Sequence, residues 1–121
     1  MNYEGKTFTS EWNDNILYLE VYEMDPDFFG LLGIVLDAAE KQGSYRILWD
    51  FRQTKHPGYL ALPKIAFKAG KLYSEIKNAD RASVLVVDKY LKLTSTLIKS
   101  INSKDTSYVG CNPIEARQFL S

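Results

Sequence analysis

The stretch Arg46-Ile47-Leu48-Trp49-Asp50-Phe51 decides the fold. It is a short run of β-forming residues, and two more runs of the same kind follow it. They are Ala82-Ser83-Val84-Leu85-Val86-Val87-Asp88 and Thr106-Ser107-Tyr108-Val109-Gly110-Cys111. Amphipathic segments separate them, and strands alternating with helices describe a parallel sheet covered by helices. The unbroken Val84-Leu85-Val86-Val87 core fits a strand buried on both faces.

Working toward the N-terminus, residues 6–12 and 16–23 read as a β-hairpin joined by Asn13-Asp14-Asn15, residue types that tolerate the left-handed backbone of tight turns. A helix follows. Asp25 is its expected N-cap, Pro26 suits its first position, and Asp27 places negative charge in the first turn. Phe28, Leu31, Leu32, Val35, Leu36 and Ala39 recur at helical spacing, and Gly43 is the expected stop beyond Lys41. Gly30 and Gly33 lie inside this helix at up to ~1 kcal/mol each against Ala. That cost predicts close approach to a neighbouring strand or helix.

Working toward the C-terminus, Pro57-Gly58 marks a turn. Pro63 opens a helix to about Lys77, with Ile65, Ala69, Leu72, Tyr73 and Ile76 on its inner face. Another helix covers about Lys89 to Asn102, with Thr94, Leu97, Ile98 and Ile101 inward. A short last helix is capped by Asn112 and begins at Pro113. Glu115 stands where a capping box would place it. Ala116, Phe119 and Leu120 can pack on the sheet. The expected order is ββαβαβαβα: a hairpin followed by βα units, giving an α/β fold with a mostly parallel five-stranded sheet. Right-handed crossovers connect its parallel strands.

The chain of 121 residues reads as one domain, 1–121, without repeat or linker. Its 15 basic and 15 acidic side chains cancel. That argues against nucleic acid as a partner, because a basic surface supplies most of such affinity. The longest apolar run, Phe28 to Leu36, is nine residues, against the ~20 needed to span a bilayer. No targeting segment is visible, and the single cysteine forms no intramolecular disulfide. The chain reads as a soluble, cytoplasmic protein. Cys111 reads as a small strand residue, although its place before a helix N-terminus could lower its thiol pKa.

This order of elements, with three residue features, resembles the STAS fold of the anti-sigma-factor antagonist superfamily, and within it the SpoIIAA-like branch of small bacterial proteins. The features are Ile47-Leu48-Trp49-Asp50-Phe51-Arg52, the hydrophobic run ending in Asp88, and the closing Asn112-Pro113-Ile114-Glu115-Ala116-Arg117-Gln118-Phe119-Leu120. The last is similar to the family's closing acidic–Ala–x–x–aromatic–Leu helix. The resemblance covers most of the chain. It implies a regulatory or binding domain for a protein partner, and this branch also implies a lipid as an apolar ligand. The phosphorylatable serine turn of the anti-sigma antagonists is missing: the corresponding residues are Thr54-Lys55-His56-Pro57-Gly58-Tyr59. Thr54 is the nearest hydroxyl and the one phosphosite candidate.

Polar side chains collect where the strands end. Asp50, Arg52 and Asp88 are expected at the carboxyl edge of the sheet, with His56 and Asn112 in nearby loops. They could rim a pocket for a small polar or anionic ligand, or cap loops and helices. His56 is the only histidine, and as a general base it would need an orienting partner, for which Asp50 is the candidate. No metal-ligand spacing, phosphate-binding Gly-rich loop or nucleophile elbow is present, so no cofactor is expected. Tyr59, Leu60, Leu62, Ile65 and Phe67 could leave an apolar patch for a dimer contact, a partner or the mouth of a lipid pocket. Lys55, Lys64, Lys68 and Lys71 give that region a positive side.

The reading is a non-enzymatic STAS-like domain that binds a protein partner, a second copy, or a small apolar ligand. Tyr59, Leu60, Leu62 and Phe67 are its contact residues, with Asp50, Arg52 and His56 at the rim. The rival reading is a small-ligand sensor or enzyme centred on Asp50, His56 and Asp88.

Overall fold

The computed structural model describes residues 1–58, 60–101 and 107–121, with side chains excepted over 97–101. The strands are β1 (Tyr3–Glu4), β2 (Phe8–Asn13), β3 (Ile16–Val21), β4 (Tyr45–Asp50), β5 (Ala79–Leu85) and β6 (Ser107–Gly110). The helices are α1 (Pro26–Glu40), α2 (Leu62–Ser74), α3 (Asp88–Ile101) and α4 (Pro113–Leu120).

One mixed sheet of six strands holds the fold, in the order β1-β2-β3-β4-β5-β6. The first three strands are antiparallel, and β3, β4, β5 and β6 run parallel. The expected α/β class holds, but the sheet has six strands where the sequence suggested five. The extra strand is the two-residue β1, which pairs with Thr9 and Ser10 of β2. A segment so short carries no alternation that a sequence pattern can register.

The hairpin of β2 and β3 closes through Asp14 (φ 53°) and Asn15 (φ 61°). Two left-handed residues in succession twist the chain to match the flanking strands. In α1, Asp25 Oδ1 accepts the Phe28 N–H at 2.9 Å, and Phe28, Leu32, Val35, Leu36 and Ala39 are buried. Leu31, expected inward, is on the exposed side. Gly43 (φ +91°) ends the turn beyond the helix. The explanation expected for the helical glycines holds poorly. A side chain at Gly30 would meet nothing within 4 Å, and one at Gly33 would make only an ordinary contact, 3.9 Å, with Leu72.

Register divides the sheet into two faces. Leu17, Ile47 and Ala82 stand side by side on one, as do Leu19, Trp49 and Val84. This face is the main core, packed against Phe28, Leu32 and Leu36 of α1 and flanked by Leu72 and Ile76 beside α2. On the other face Leu48 and Leu85 pack with Ala116 and Leu120 of α4. Buried Ser83 donates to the Ala116 carbonyl at 2.7 Å, and Arg46 donates to the Leu120 carbonyl. β4 and β5 are therefore covered on both sides, which explains their apolar sequences. The α4 helix lies over β4, β5 and β6 and reaches β3 through Arg117 above Tyr18, while an open groove lies toward β1 and β2.

Two boundaries differ from expectation. β5 ends at Leu85, so Asp88 is the first residue of α3 and not a strand end. α2 stops at Ser74 and buries no residue fully. Its inner side, Ile65, Ala69, Leu72, Tyr73 and Ile76, is only half-buried.

Candidate functional site

Asp50 closes β4, and the chain turns back on it at once. Arg52 donates to it three times: from its backbone N (3.0 Å) and Nε (3.0 Å) to Oδ1, and from Nη2 to Oδ2 (2.8 Å). A two-pronged guanidinium–carboxylate pair of this kind is directional as well as attractive. Burial opposes ionisation of Asp50, but the bonds and charge of Arg52 outweigh it, and its pKa falls below the ordinary carboxylate value. The hydrogen bond to Asp50 in turn raises the pKa of Arg52, with help from the charge of Glu20. Thr9, Glu20, Asp50 and Leu85 form one row across the sheet.

That row lies in an open groove of about 700 Å³ on the face that α4 leaves bare. Glu4, Glu11, Tyr18, Glu20, Asp50, Arg52 and Arg117 line it. Arg117 stacks over the Tyr18 ring at 5.9 Å. The groove is rich in carboxylates, and its Asp50 is an ion-paired anion with no proton to donate at neutral pH.

The remaining polar candidates are engaged elsewhere. His56 Nδ1 accepts the Gly58 N–H at 2.9 Å, and its ring lies 5.6 Å from that of Tyr90 in α3. Asp88 accepts from Cys111 Sγ at 3.1 Å. That bond to a carboxylate pushes the Cys111 thiol up, opposite to the lowering a helix N-terminus alone would give. Thr54 Oγ1 donates to the Val21 carbonyl at 2.6 Å and pins the loop after β4 to β3. Asn112 Oδ1 accepts the Ile114 N–H. Glu115 takes the Tyr108 hydroxyl at 2.8 Å and forms a bridge to β6 in place of the expected capping box. Burial and then the Glu115 carboxylate raise the Tyr108 pKa to about 12. Among the described residues no group of three His, Cys, Asp or Glu side chains is arranged to hold a metal ion. No described helix is long and apolar enough to cross a membrane.

The apolar candidates separate differently. Tyr59 lies outside the described residues. Leu60 is fully exposed and Phe67 is 75% exposed, while Leu62 is half-buried.

Beneath α2, between its inner side and the sheet, is a cavity of about 120 Å³ with an almost wholly apolar wall. Trp49, Phe51, Ala82 and Val84 come from the sheet side, Met24, Phe28, Phe29 and Leu32 from around α1, and Ala69, Leu72, Tyr73 and Ile76 from around α2. Trp49 and Phe51 stack with ring planes 3° apart and centroids 6.1 Å apart.

No family model matches the chain. No curated protein matches it either.

Of the residues expected to act, the structure pairs Asp50 with Arg52 in the groove, and sets His56 beside Tyr90 and Asp88 beside Cys111. The cavity-lining residues Trp49, Phe51, Leu72, Tyr73 and Ile76 carried no binding role in the sequence reading. Their one signal was spacing: Trp49 and Phe51 fall two apart in a strand, and Leu72, Tyr73 and Ile76 follow a helical period. That pattern also describes ordinary core residues, and only the incomplete closure of α2 over them leaves a space.

Proposed function

We propose that the protein is a non-enzymatic binding domain, of the STAS-like kind its sequence resembles, that takes a small apolar ligand between α2 and the sheet. The supporting observation is the 120 Å³ cavity walled by Trp49, Phe51, Leu72 and Tyr73. An apolar cavity of roughly 150 Å³ stays dry and accepts a benzene-sized guest. The present one is of that order and suits the end of an acyl chain or a small ring. Each methylene taken from water contributes about 0.8 kcal/mol, and the stacked Trp49–Phe51 pair offers a flat wall. The helix over the cavity buries no residue fully and its inner side is half-buried, so we expect a longer chain to enter by an outward shift of α2.

The test uses Trp12→Phe, which leaves Trp49 as the only tryptophan. Titration with dodecanoate is expected to change Trp49 emission saturably, and calorimetry on the wild type is expected to give the same midpoint. Ala69→Leu, which fills the cavity from α2, is expected to abolish both signals while the fold is kept. Absence of saturable binding by both methods in the folded protein would overturn the reading.

A further inference from the structure

We propose that α2 and the turn before it form a docking surface for an anionic phospholipid bilayer. The observation is a helix with lysines and no carboxylate that also leaves apolar side chains exposed. Residues 53–74 hold four lysines and neither Asp nor Glu, in a chain whose 15 basic and 15 acidic groups cancel overall. The groove on the opposite face is lined by the carboxylates Glu4, Glu11, Glu20 and Asp50 with Arg52 and Arg117, and Arg46 and Arg81 bond to α4 on the same face. α2 thus carries a local excess of positive charge, on which an anionic surface can act.

Helical spacing puts Lys64, Phe67 and Lys71 at i, i+3 and i+7, on one outward face of α2. Phe67 is 75% exposed there, and Leu60, fully exposed, precedes the helix. Lys68 turns aside, with its ammonium 5.8 Å over the Phe29 ring of α1. Phe67 is therefore an apolar tip flanked by two lysines. An aromatic ring that enters the headgroup region while flanking lysines reach lipid phosphates is the mode of interfacial helices. A small soluble anion would satisfy the lysines, but it would not account for the exposed Phe67 and Leu60. The surface is independent of what the cavity holds, and the two are tested separately.

The experiment is co-sedimentation with two kinds of vesicle, pure phosphatidylcholine and phosphatidylcholine with about 30% phosphatidylglycerol, at about 0.05 M and 0.5 M salt. The wild type is expected on the anionic vesicles at low salt, with partitioning about 25-fold weaker on neutral vesicles or at high salt. Lys64→Glu with Lys71→Glu is expected to remove binding, since each lysine near an anionic surface contributes about fivefold. Phe67→Trp is expected to shift its emission to the blue with anionic vesicles only, a signal gained on an intact fold. Ala69→Leu is expected to dock like the wild type. Equal partitioning on both vesicle types, or undiminished binding of the double lysine variant, would overturn the proposal. So would a concentration-dependent dimer that Phe67→Asp dissociates while vesicle binding is absent, because a second copy would then cover this face.

Discussion

Asn78 donates to Glu40 twice. Its backbone N–H donates to the Glu40 carboxylate (3.0 Å to Oε2), and its Nδ2 donates to the Glu40 carbonyl at 2.8 Å. The Lys77 N–H joins the same carboxylate at 2.7 Å. One side chain at the end of α1 thus holds the start of β5.

Glu40 should make stability depend on pH in the acid range. Burial opposes its ionisation, but the N–H groups of Lys77 and Asn78 outweigh that, and its pKa lies below the ordinary value. A carboxylate with a depressed folded pKa contributes stability that is fully present above the unfolded pKa and is lost as pH falls through the folded one. Glu40→Gln is expected to cost about 1 kcal/mol near neutrality. The gap from wild type is expected to close as pH drops below about 4. Urea unfolding across pH checks this, and a constant gap at every pH would contradict the assignment.

Phe51 tests the cavity wall. Phe51→Ala is expected to lower stability by about 2 kcal/mol, less than the ~3–5 of a fully buried phenylalanine because the ring is half-buried. It is also expected to admit a bulkier apolar ligand than the wild type does. Denaturation and calorimetry on the same variant separate the two effects.

Ser83 is completely buried and its hydroxyl holds the Ala116 carbonyl at 2.7 Å. Ser83→Ala is expected to cost about 1 kcal/mol and to loosen α4 from β5. Hydrogen exchange of α4 amides should quicken while those of α1 stay unchanged.

Asp25→Ala removes the cap of α1 and is expected to cost about 1 kcal/mol. Asp25→Ser should recover most of that loss, since a hydroxyl can accept the same Phe28 N–H. Thermal unfolding of the two variants distinguishes a lost cap from a lost charge.

Several features of the fold were legible because their causes are local. Asp14-Asn15 declares a hairpin by tolerating left-handed backbone, Asp25-Pro26 declares a helix start, and the continuous apolar runs of β4 and β5 declare strands covered twice. The candidate site was not legible in the same way. Asp50 and Arg52 were expected at one edge, and they lie there as a pair. Asp88 moved into a helix because the chain leaves the sheet after Leu85, a choice set by pairing with β6 and invisible to propensity. Glu40 looked like any acidic residue in the last turn of a helix. Its partners are nearly forty positions away, and no local pattern announces them.

The amino-acid order by itself determined the kinds and sequence of the elements after β1, because hydrogen-bonding period, caps and turns act over a few residues. It also determined the lysine-rich, carboxylate-free segment 53–74. Tertiary structure alone decided that α2 lies across the sheet from the acidic groove. It alone decided that α2 closes incompletely over Trp49 and Phe51, because a void depends on how separate elements meet, and no single segment encodes that distance.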